Sequence, residues 1–343
     1  MRTSNLVGNV PEACHSFSWF FCRKGAVALG LFKVLASLTL LAATTNSIAS
    51  PDDAVLTPLR AAKAGELVDL TSAFLELADK TTNLTDPERV KVFHARFDAI
   101  VPGYYDDQGD YQATFDNKIA RALRDLPSYR TKLEVAARGV RPAFERAQVK
   151  FKRALPDYQL DVPVYLLHSI GTQDGGTRDS GGRSALYFGT DVIAEIHNST
   201  TIEPFLTHEL FHVYHQRFFS DCGKVWCSLW IEGLAVYAAA RLHTGATDRQ
   251  LLLTMPQPIR PRVEPKLSQA MCYLKMRLDR ETGLGEFFSG NLNNSPFPPR
   301  FGYFLGYKLA QKIGAGRSLA QVARMRQPEV RRLIDSELAR YRC

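Results

Sequence analysis

His208, Glu209 and His212 have the residue types and the spacing of the hydrolase motif HExxH. Thr200 and Thr201 precede a segment that soon turns apolar, which predicts a helix. Positions four apart lie on one face of a helix, so both imidazoles can bind a single cation. Glu209 would lie beside that cation and take a proton from a zinc-bound water, whose pKa the metal lowers to about 7. The motif therefore predicts hydrolysis; the alternative is two histidines that happen to pack on one helix face.

A catalytic zinc ion needs a third protein ligand, and Glu232 is the strongest candidate. It is the only charged residue in the apolar segment 225–240. An unpaired carboxylate would be costly to bury there, whereas a metal ion would neutralise it. His215 competes for the role because it lies seven residues after His208, on nearly the same helix face. We predict that His208, His212 and Glu232 bind one Zn²⁺ per chain.

An HExxH motif followed by a glutamate resembles the gluzincin superfamily of zinc metallopeptidases. Nineteen residues separate His212 from Glu232, a spacing similar to that of thermolysin-type enzymes. The sequence Glu-Gly-Leu-Ala that begins at Glu232 looks closer to predicted zinc-dependent proteases of bacteria. The resemblance covers roughly residues 181–315 and implies a peptide or protein substrate.

Two departures from the gluzincin pattern limit what the resemblance implies. Val236 stands where thermolysin-type enzymes place an Asp that orients the first His. The Gly-x-Met-Glu-Asn stretch, which would support aminopeptidase specificity, does not occur in the chain. The resemblance therefore favours an endopeptidase.

The resemblance also suggests roles for one strand and two tyrosines. In gluzincins a strand before the motif helix pairs with the peptide substrate, and residues 184–188 would take that place. The alternative is an internal core strand. Residues 302–307 are similar to the downstream GYxxGY helix of the predicted proteases. A phenol there would donate to the tetrahedral oxyanion, with Tyr303 as first choice and Tyr307 as second; the alternative is aromatic packing.

A protein of another class would also fit these residues: an envelope binding or scaffolding protein whose zinc site is structural or vacant. A structural site is closed by a fourth protein ligand, whereas a catalytic site keeps a position open for water. His215 and Cys222 are the candidates for such a fourth ligand. A metzincin site is excluded, because it would need Gly at position 215 and His at position 218, where the chain has Phe218.

The elements that would position these residues begin with a helical N-terminal region, residues 51–155. Apolar residues recur at helical spacing in residues 54–80, and Asp86 as cap with the proline after it marks the start of a second helix. Later helical stretches are expected to break at Pro127 and at residues 139–142.

Residues 156–343 are predicted to form the catalytic region. Alternating apolar residues predict strands over residues 162–168 and 184–193, with a flexible glycine-rich loop at 171–182 between them. Further helices are expected at 265–280, 301–313 and 318–341. The predicted fold class is α+β and mostly helical, with a small sheet before the HExxH helix and the Glu-ligand helix after it, as in gluzincins.

Residues 1–50 are predicted to be a leader. An apolar run over residues 25–43 follows Arg23 and Lys24, and small residues lead to a cleavage position near Ala49. The protein would then be periplasmic or secreted, with no stable membrane span after cleavage. The alternative is a membrane anchor formed by an uncleaved leader.

The charge of the chain does not indicate a nucleic-acid partner. The formal net charge is +8, and it falls to +5 without the four basic residues and one acidic residue of the leader. A mild excess with no dense Lys/Arg run is typical of a solvated surface. The sequence does not indicate an oligomeric state.

Four cysteines remain after the leader, an even number that suits disulfides in an oxidising compartment. Cys222 and Cys227 share one short loop, so their pairing with each other, and of Cys272 with Cys343, is the simplest arrangement. The alternative for the first pair is a metal clip.

Overall fold

The structure, a computed structural model, describes residues 56–106, 112–180, 182–290 and 295–343. The predicted leader lies outside these residues. The strands are β1 (Leu67–Asp69), β2 (Val164–Leu167), β3 (Gly175–Ser180) and β4 (Arg183–Gly189). The helices before β2 are α1 (Thr71–Lys80), α2 (Asp86–Phe97), α3 (Gln112–Asp125) and α4 (Arg130–Ala154). The helices after β4 are α5 (Thr190–Ile196), α6 (Ile202–His215), α7 (Val225–Leu242), α8 (Arg260–Val263), α9 (Leu267–Lys275), α10 (Gly285–Phe288), α11 (Phe301–Ile313), α12 (Leu319–Ala323) and α13 (Gln327–Leu338). The fold is α+β and mostly helical, as the sequence predicted.

The four described strands form one sheet in the order β1-β2-β4-β3. β1, β2 and β4 are parallel, and β3 runs antiparallel to β4, with Asp179 opposite Ser184. β4 is therefore internal. Residues 184–188 form the internal core strand that was the alternative, and not a free strand that could pair with a substrate. The prediction of a flexible loop over residues 171–182 was wrong in part, because that segment contains β3. The predicted strand over residues 184–193 ends at Gly189, where α5 follows.

The sheet separates two hydrophobic cores. Side chains alternate along a strand, so Val164 and Leu166 of β2 face one core while Tyr165 and Leu167 face the other. Helices α1, α2 and α3 cover the second face, and helices α4, α6, α7 and α11 pack on the first. Both β1 and α4, from the N-terminal half, contribute to the structure that supports the HExxH helix. The predicted boundary near residue 156 stays a prediction.

Caps and prolines in the sequence predicted some starts and breaks of the N-terminal helices correctly and others wrongly. α2 is present but begins at Asp86 itself, because Thr85 and not Asp86 is its N-cap, with a capping box between Thr85 and Glu88. A short 3₁₀ turn at Leu126–Ser128 forms the predicted break at Pro127. The break predicted at residues 139–142 was wrong, since α4 continues through Pro142. Its apolar face is buried before and after that point, and this packing maintains the helix despite the proline.

The first predicted helix is also shorter than expected. The spacing of apolar residues favoured a helix over residues 54–80, but helix α1 begins only at Thr71. The preceding residues Leu67–Asp69 pair with β2 as strand β1. Strand pairing overrides the helical pattern here, because β2 offers the backbone groups of residues 67–69 a ladder of hydrogen bonds.

Both predicted disulfides are present. Cys222 bonds to Cys227 and Cys272 bonds to Cys343, with Cα–Cα distances of 5.8 and 5.4 Å. The metal-clip alternative is therefore wrong. The two bonds fit an extracellular or periplasmic location. Within the described residues, α7 is the one helix long and apolar enough to cross a membrane, and most of it is buried inside the fold.

Candidate metal centre

His208 and His212 on α6 and Glu232 on α7 converge on one buried point. Nε2 of His208 lies 3.0 Å from Nε2 of His212. Oε2 of Glu232 lies 3.4 Å from each of these nitrogens. All three residues are buried, and together they could hold a metal ion. The predicted ligand residues are thus brought together by the fold.

The spacing of the three donor atoms fits a four-coordinate metal ion. Ligand atoms at about 2.0–2.1 Å from a tetrahedral zinc ion lie roughly 3.3 Å from one another. The three donor pairs, at 3.0, 3.4 and 3.4 Å, lie close to that value. Two imidazole nitrogens and a carboxylate oxygen are donors that zinc accepts.

The two predicted competitors do not belong to this cluster. Among the described residues, His215 is not part of the metal-binding group. Seven helical residues rise roughly 10 Å, so a residue seven positions after His208 cannot reach the same ion. Cys222 is bonded to Cys227 and has no thiolate to offer. The described residues therefore give three ligands and no fourth.

The charges of the cluster are coupled. Burial alone would raise the pKa of Glu232, but the positive charge of His212 and hydrogen bonds with both histidines hold it well below its ordinary value. Burial lowers the pKa of His208, and the positive charges of His212 and Arg300 act in the same direction. The carboxylate of Glu232 is therefore ionised, and against the effect of burial its charge raises the pKa of His212. A bound metal ion would displace the proton of that imidazole.

Glu209 is buried beside the cluster but is not one of the three grouped donors. Strand β3 passes close to it: a Cβ built on Gly175 would lie 3.0 Å from Cγ of Glu209 and 2.7 Å from Cζ of Phe205. Burial raises the pKa of Glu209 to about 8, and the negative charges of Asp174 and Glu232 act in the same direction. A cation at the cluster would act in the opposite direction and favour the carboxylate form.

Helix α11 lies against α7 at a pair of glycines. A Cβ built on Gly233 would lie only 2.1 Å from the carbonyl carbon of Gly306, and one on Gly306 only 2.3 Å from the carbonyl oxygen of Leu229. The two backbones can be this close only because both residues lack a side chain. Since Gly233 follows Glu232 directly, this contact brings α11 next to the third ligand.

The two predicted tyrosines lie in different surroundings. Tyr303 is buried, its ring centroid is 6.4 Å from that of His208, and burial and the charge of Glu232 raise its pKa. Tyr307 lies one helical turn further along, where Arg260 donates a hydrogen bond to it. The structure thus places Tyr303, and not Tyr307, beside the cluster.

Arg300 is a site residue that the sequence reasoning did not single out. It is 3% exposed, and its guanidinium lies 4.4 Å from the ring centroid of Tyr303. Its backbone is left-handed, with φ 62°. Residues other than glycine rarely adopt this conformation, and those that do are concentrated at functional sites. The usable signal was that Arg300 is the only charged residue between Glu286 and Lys308.

A buried Asp–His pair lies near Glu209, whose pKa is raised in part by the charge of Asp174. Oδ2 of Asp174 is 3.3 Å from Nε2 of His197, and the imidazole of His197 stacks on Phe205 at 4.2 Å. Both side chains are almost completely buried. Asp174 stands directly before β3, in a segment predicted to be a loop, and its position depends on strand pairing that the sequence pattern did not show.

Comparison with known proteins identifies no relative: no protein-family model, curated protein or solved structure matches this chain.

Proposed function

We propose that this protein is an exported zinc-dependent peptidase, and that it acts as an endopeptidase. The observation that supports this best is the convergence of two histidines and a glutamate on one buried point, with the carboxylate of Glu209 beside them. A catalytic zinc site has three protein ligands and an open position, which is the donor set that the described residues offer.

The residues of the chain have distinct tasks in the proposed reaction. A zinc ion held by His208, His212 and Glu232 would supply Lewis acidity and lower the pKa of a bound water. Glu209 accepts the proton of the attacking water on its carboxylate and passes it to the leaving amine. Tyr303, with the cation of Arg300 over its ring, stabilises the negative charge that develops on the substrate carbonyl oxygen.

Strand β3 offers a place for the substrate backbone. It is one of the two edge strands among the described strands, the other being β1, and it passes within contact distance of Glu209. An extended peptide can add to such an edge by backbone hydrogen bonds, which would align its peptide bonds with the metal centre. β3 thus takes the role that was predicted for residues 184–188.

The alternative function, a scaffolding protein with a structural zinc site, has less support. A structural site needs a fourth protein ligand. Cys222 is in a disulfide and His215 lies outside the donor group, so neither predicted candidate supplies it.

The proposal is tested by incubating the purified, zinc-loaded protein with a mixture of internally quenched peptides and measuring cleavage. We expect cleavage by the wild type and a loss of at least about a hundredfold in kcat for Glu209→Gln, because the amide cannot accept the proton. The matched control is Glu195→Gln on α5, a carboxylate exposed to solvent that should leave kcat unchanged. Cleavage by Glu209→Gln at the wild-type rate would contradict the proposal.

A further inference from the structure

A cavity of about 390 Å³ opens directly beside the metal centre. Its wall includes the ligand His212 and, on α7, Ile231, the residue before the ligand Glu232. The rest of the wall comes mainly from the end of α6 and the loop after it. Ligand pockets have volumes of roughly 300–1,000 Å³, so this space is large enough for one long side chain. An occupant would lie next to the reacting bond, since it shares a wall with a metal ligand.

Asp221 gives the cavity its charge. Burial lowers the pKa of His215 to about 3, so this lining residue is neutral. Among the lining residues other than the metal ligand His212, Asp221 is the only one with a formal charge. An occupant of the cavity therefore meets one carboxylate.

The carboxylate of Asp221 is held in place without a cation. The backbone N–H of Gly223 donates to Oδ1 over 3.1 Å, and the N–H of Cys222 also donates to the carboxylate. The disulfide of Cys222 closes this loop. No Lys, Arg or His among the described residues is one of the groups that shift the pKa of Asp221, which burial raises. A cation entering the cavity would stabilise a carboxylate that has backbone hydrogen bonds but no counter-charge.

Two further features of the wall suit a long basic side chain. His215 lines the cavity, and its buried Nε2 makes no hydrogen bond to a described residue. Phe219 and Ile231 provide an apolar surface for an aliphatic stem. The combination of an apolar wall with a carboxylate matches the structure of arginine and lysine.

We propose that this cavity is the specificity pocket of the peptidase, and that Asp221 selects an arginine or lysine side chain next to the scissile bond. This inference rests on the proposed function, because only a peptidase has a scissile bond. The binding of a basic side chain in the cavity can be measured separately.

The experiment compares three internally quenched peptides that differ at one position: arginine, the neutral isostere citrulline, or norleucine. For the wild type we expect kcat/KM to be at least roughly tenfold higher for arginine than for citrulline, because a charge-assisted hydrogen bond is lost in the neutral peptide. Asp221→Asn keeps an oxygen that can accept from the loop and should abolish the preference. Asp335→Asn, which removes an exposed carboxylate on α13, is the control and should keep it.

Failure of this inference is distinguishable from failure of the proposed function. Equal kcat/KM for the arginine and citrulline peptides would overturn the specificity pocket while leaving the peptidase intact. If the wild type cleaves no peptide, the proposed function fails. The pocket is then tested by the affinity of zinc-loaded Glu209→Gln for each labelled peptide, measured by fluorescence anisotropy. A cation pocket is supported if the arginine peptide binds more tightly than the citrulline peptide and if this difference disappears when Asp221→Asn is added to Glu209→Gln. Equal binding of the two peptides overturns it.

Discussion

Individual residues of the centre depend on one another because their charges are buried together. Glu232 is 1% exposed and His212 is 4% exposed. Either charge alone would be costly in such surroundings, and removal of one partner leaves the other without compensation. The same dependence makes the site suitable for a cation, which would satisfy all donor atoms at once.

The role of Tyr303 can be separated from that of Tyr307 by removing each hydroxyl. For Tyr303→Phe we expect kcat to fall by about 10²–10³, the usual loss for one oxyanion donor, with KM and zinc content little changed. Tyr307→Phe, on the same helix but beside Arg260, is the matched control and should change kcat less than about threefold. Steady-state kinetics measure both. Similar losses in both variants would instead indicate that the tyrosines act by packing.

The sequence was informative where a residue type conflicted with its surroundings. Glu232 could be predicted because a lone carboxylate in an apolar helix needs a partner. The same argument applies to Arg300, but its position beside Tyr303 depends on a left-handed residue before α11. Neighbours of this kind follow from tertiary packing, which no local pattern encodes.

Elements bring the residues of the centre together through a few close backbone contacts. Gly175 lets β3 pass over Glu209, and Gly233 with Gly306 lets α7 and α11 touch. On the far side of α6, Glu203 forms ion pairs with Arg146 and Lys150 of α4, at 2.7 and 2.8 Å. The motif helix α6 is thus fixed between strand β3 and helices α4 and α7.

The glycine contact between α7 and α11 gives a prediction at this scale. Gly233→Ala places a Cβ against the backbone of Gly306, so the helices must separate. We expect the free energy of unfolding to fall by about 1–3 kcal/mol, as for other overpacked cores, and zinc affinity to fall because Glu232 is the adjacent residue. Denaturant unfolding of the zinc-free protein and competition with a chelator measure the two effects.

The control for this variant is Gly139→Ala in α4, where a Cβ would meet no atom within 4 Å. Alanine is the better helix former, so stability should stay the same or rise by up to about 1 kcal/mol. If Gly233→Ala were as stable as Gly139→Ala and bound zinc as tightly as the wild type, the close contact would have no structural role.

Periodicity predicted helices more successfully than strands. α6, α7 and α11 carry buried residues at helical spacing or as continuous apolar runs, and α11 has the bounds predicted for it. The single helix predicted over residues 318–341 was wrong, because α12 ends at Ala323 and α13 begins at Gln327. β3 could not be predicted, because Gly175, Gly176 and the polar residues after them show no alternation of apolar side chains. Pairing with β4 makes this segment a strand, and pairing depends on the rest of the fold.

The whole molecule combines two cores on opposite faces of one sheet with two covalent links. The fold class followed from the sequence, since helical spacing dominates and few segments alternate. The sequence did not show that the N-terminal helices and the motif helices share one sheet. This sharing depends on the pairing of β1 with β2, which joins residues almost a hundred positions apart.

The two disulfides should contribute unequally to stability. Cys272–Cys343 spans 71 residues and Cys222–Cys227 spans 5. The loop-entropy model gives about 4 kcal/mol for the first and about 2 kcal/mol for the second, since a longer loop restricts the unfolded chain more. Urea unfolding of the two Cys→Ser double variants, each compared with the wild type, measures the difference. A larger loss for the Cys222–Cys227 pair would show that this link acts by holding the loop of Asp221 in the native state.

The central claim is that His208, His212 and Glu232 bind one zinc ion per chain. The most direct measurement is metal content by elemental mass spectrometry after purification without chelators, for the wild type, Glu209→Gln and Glu232→Ala. We expect about one zinc per chain in the wild type and in Glu209→Gln, and a strong loss in Glu232→Ala, because the third ligand is gone. A wild-type protein that binds no zinc even when zinc is supplied would contradict the claim, and with it the proposed peptidase.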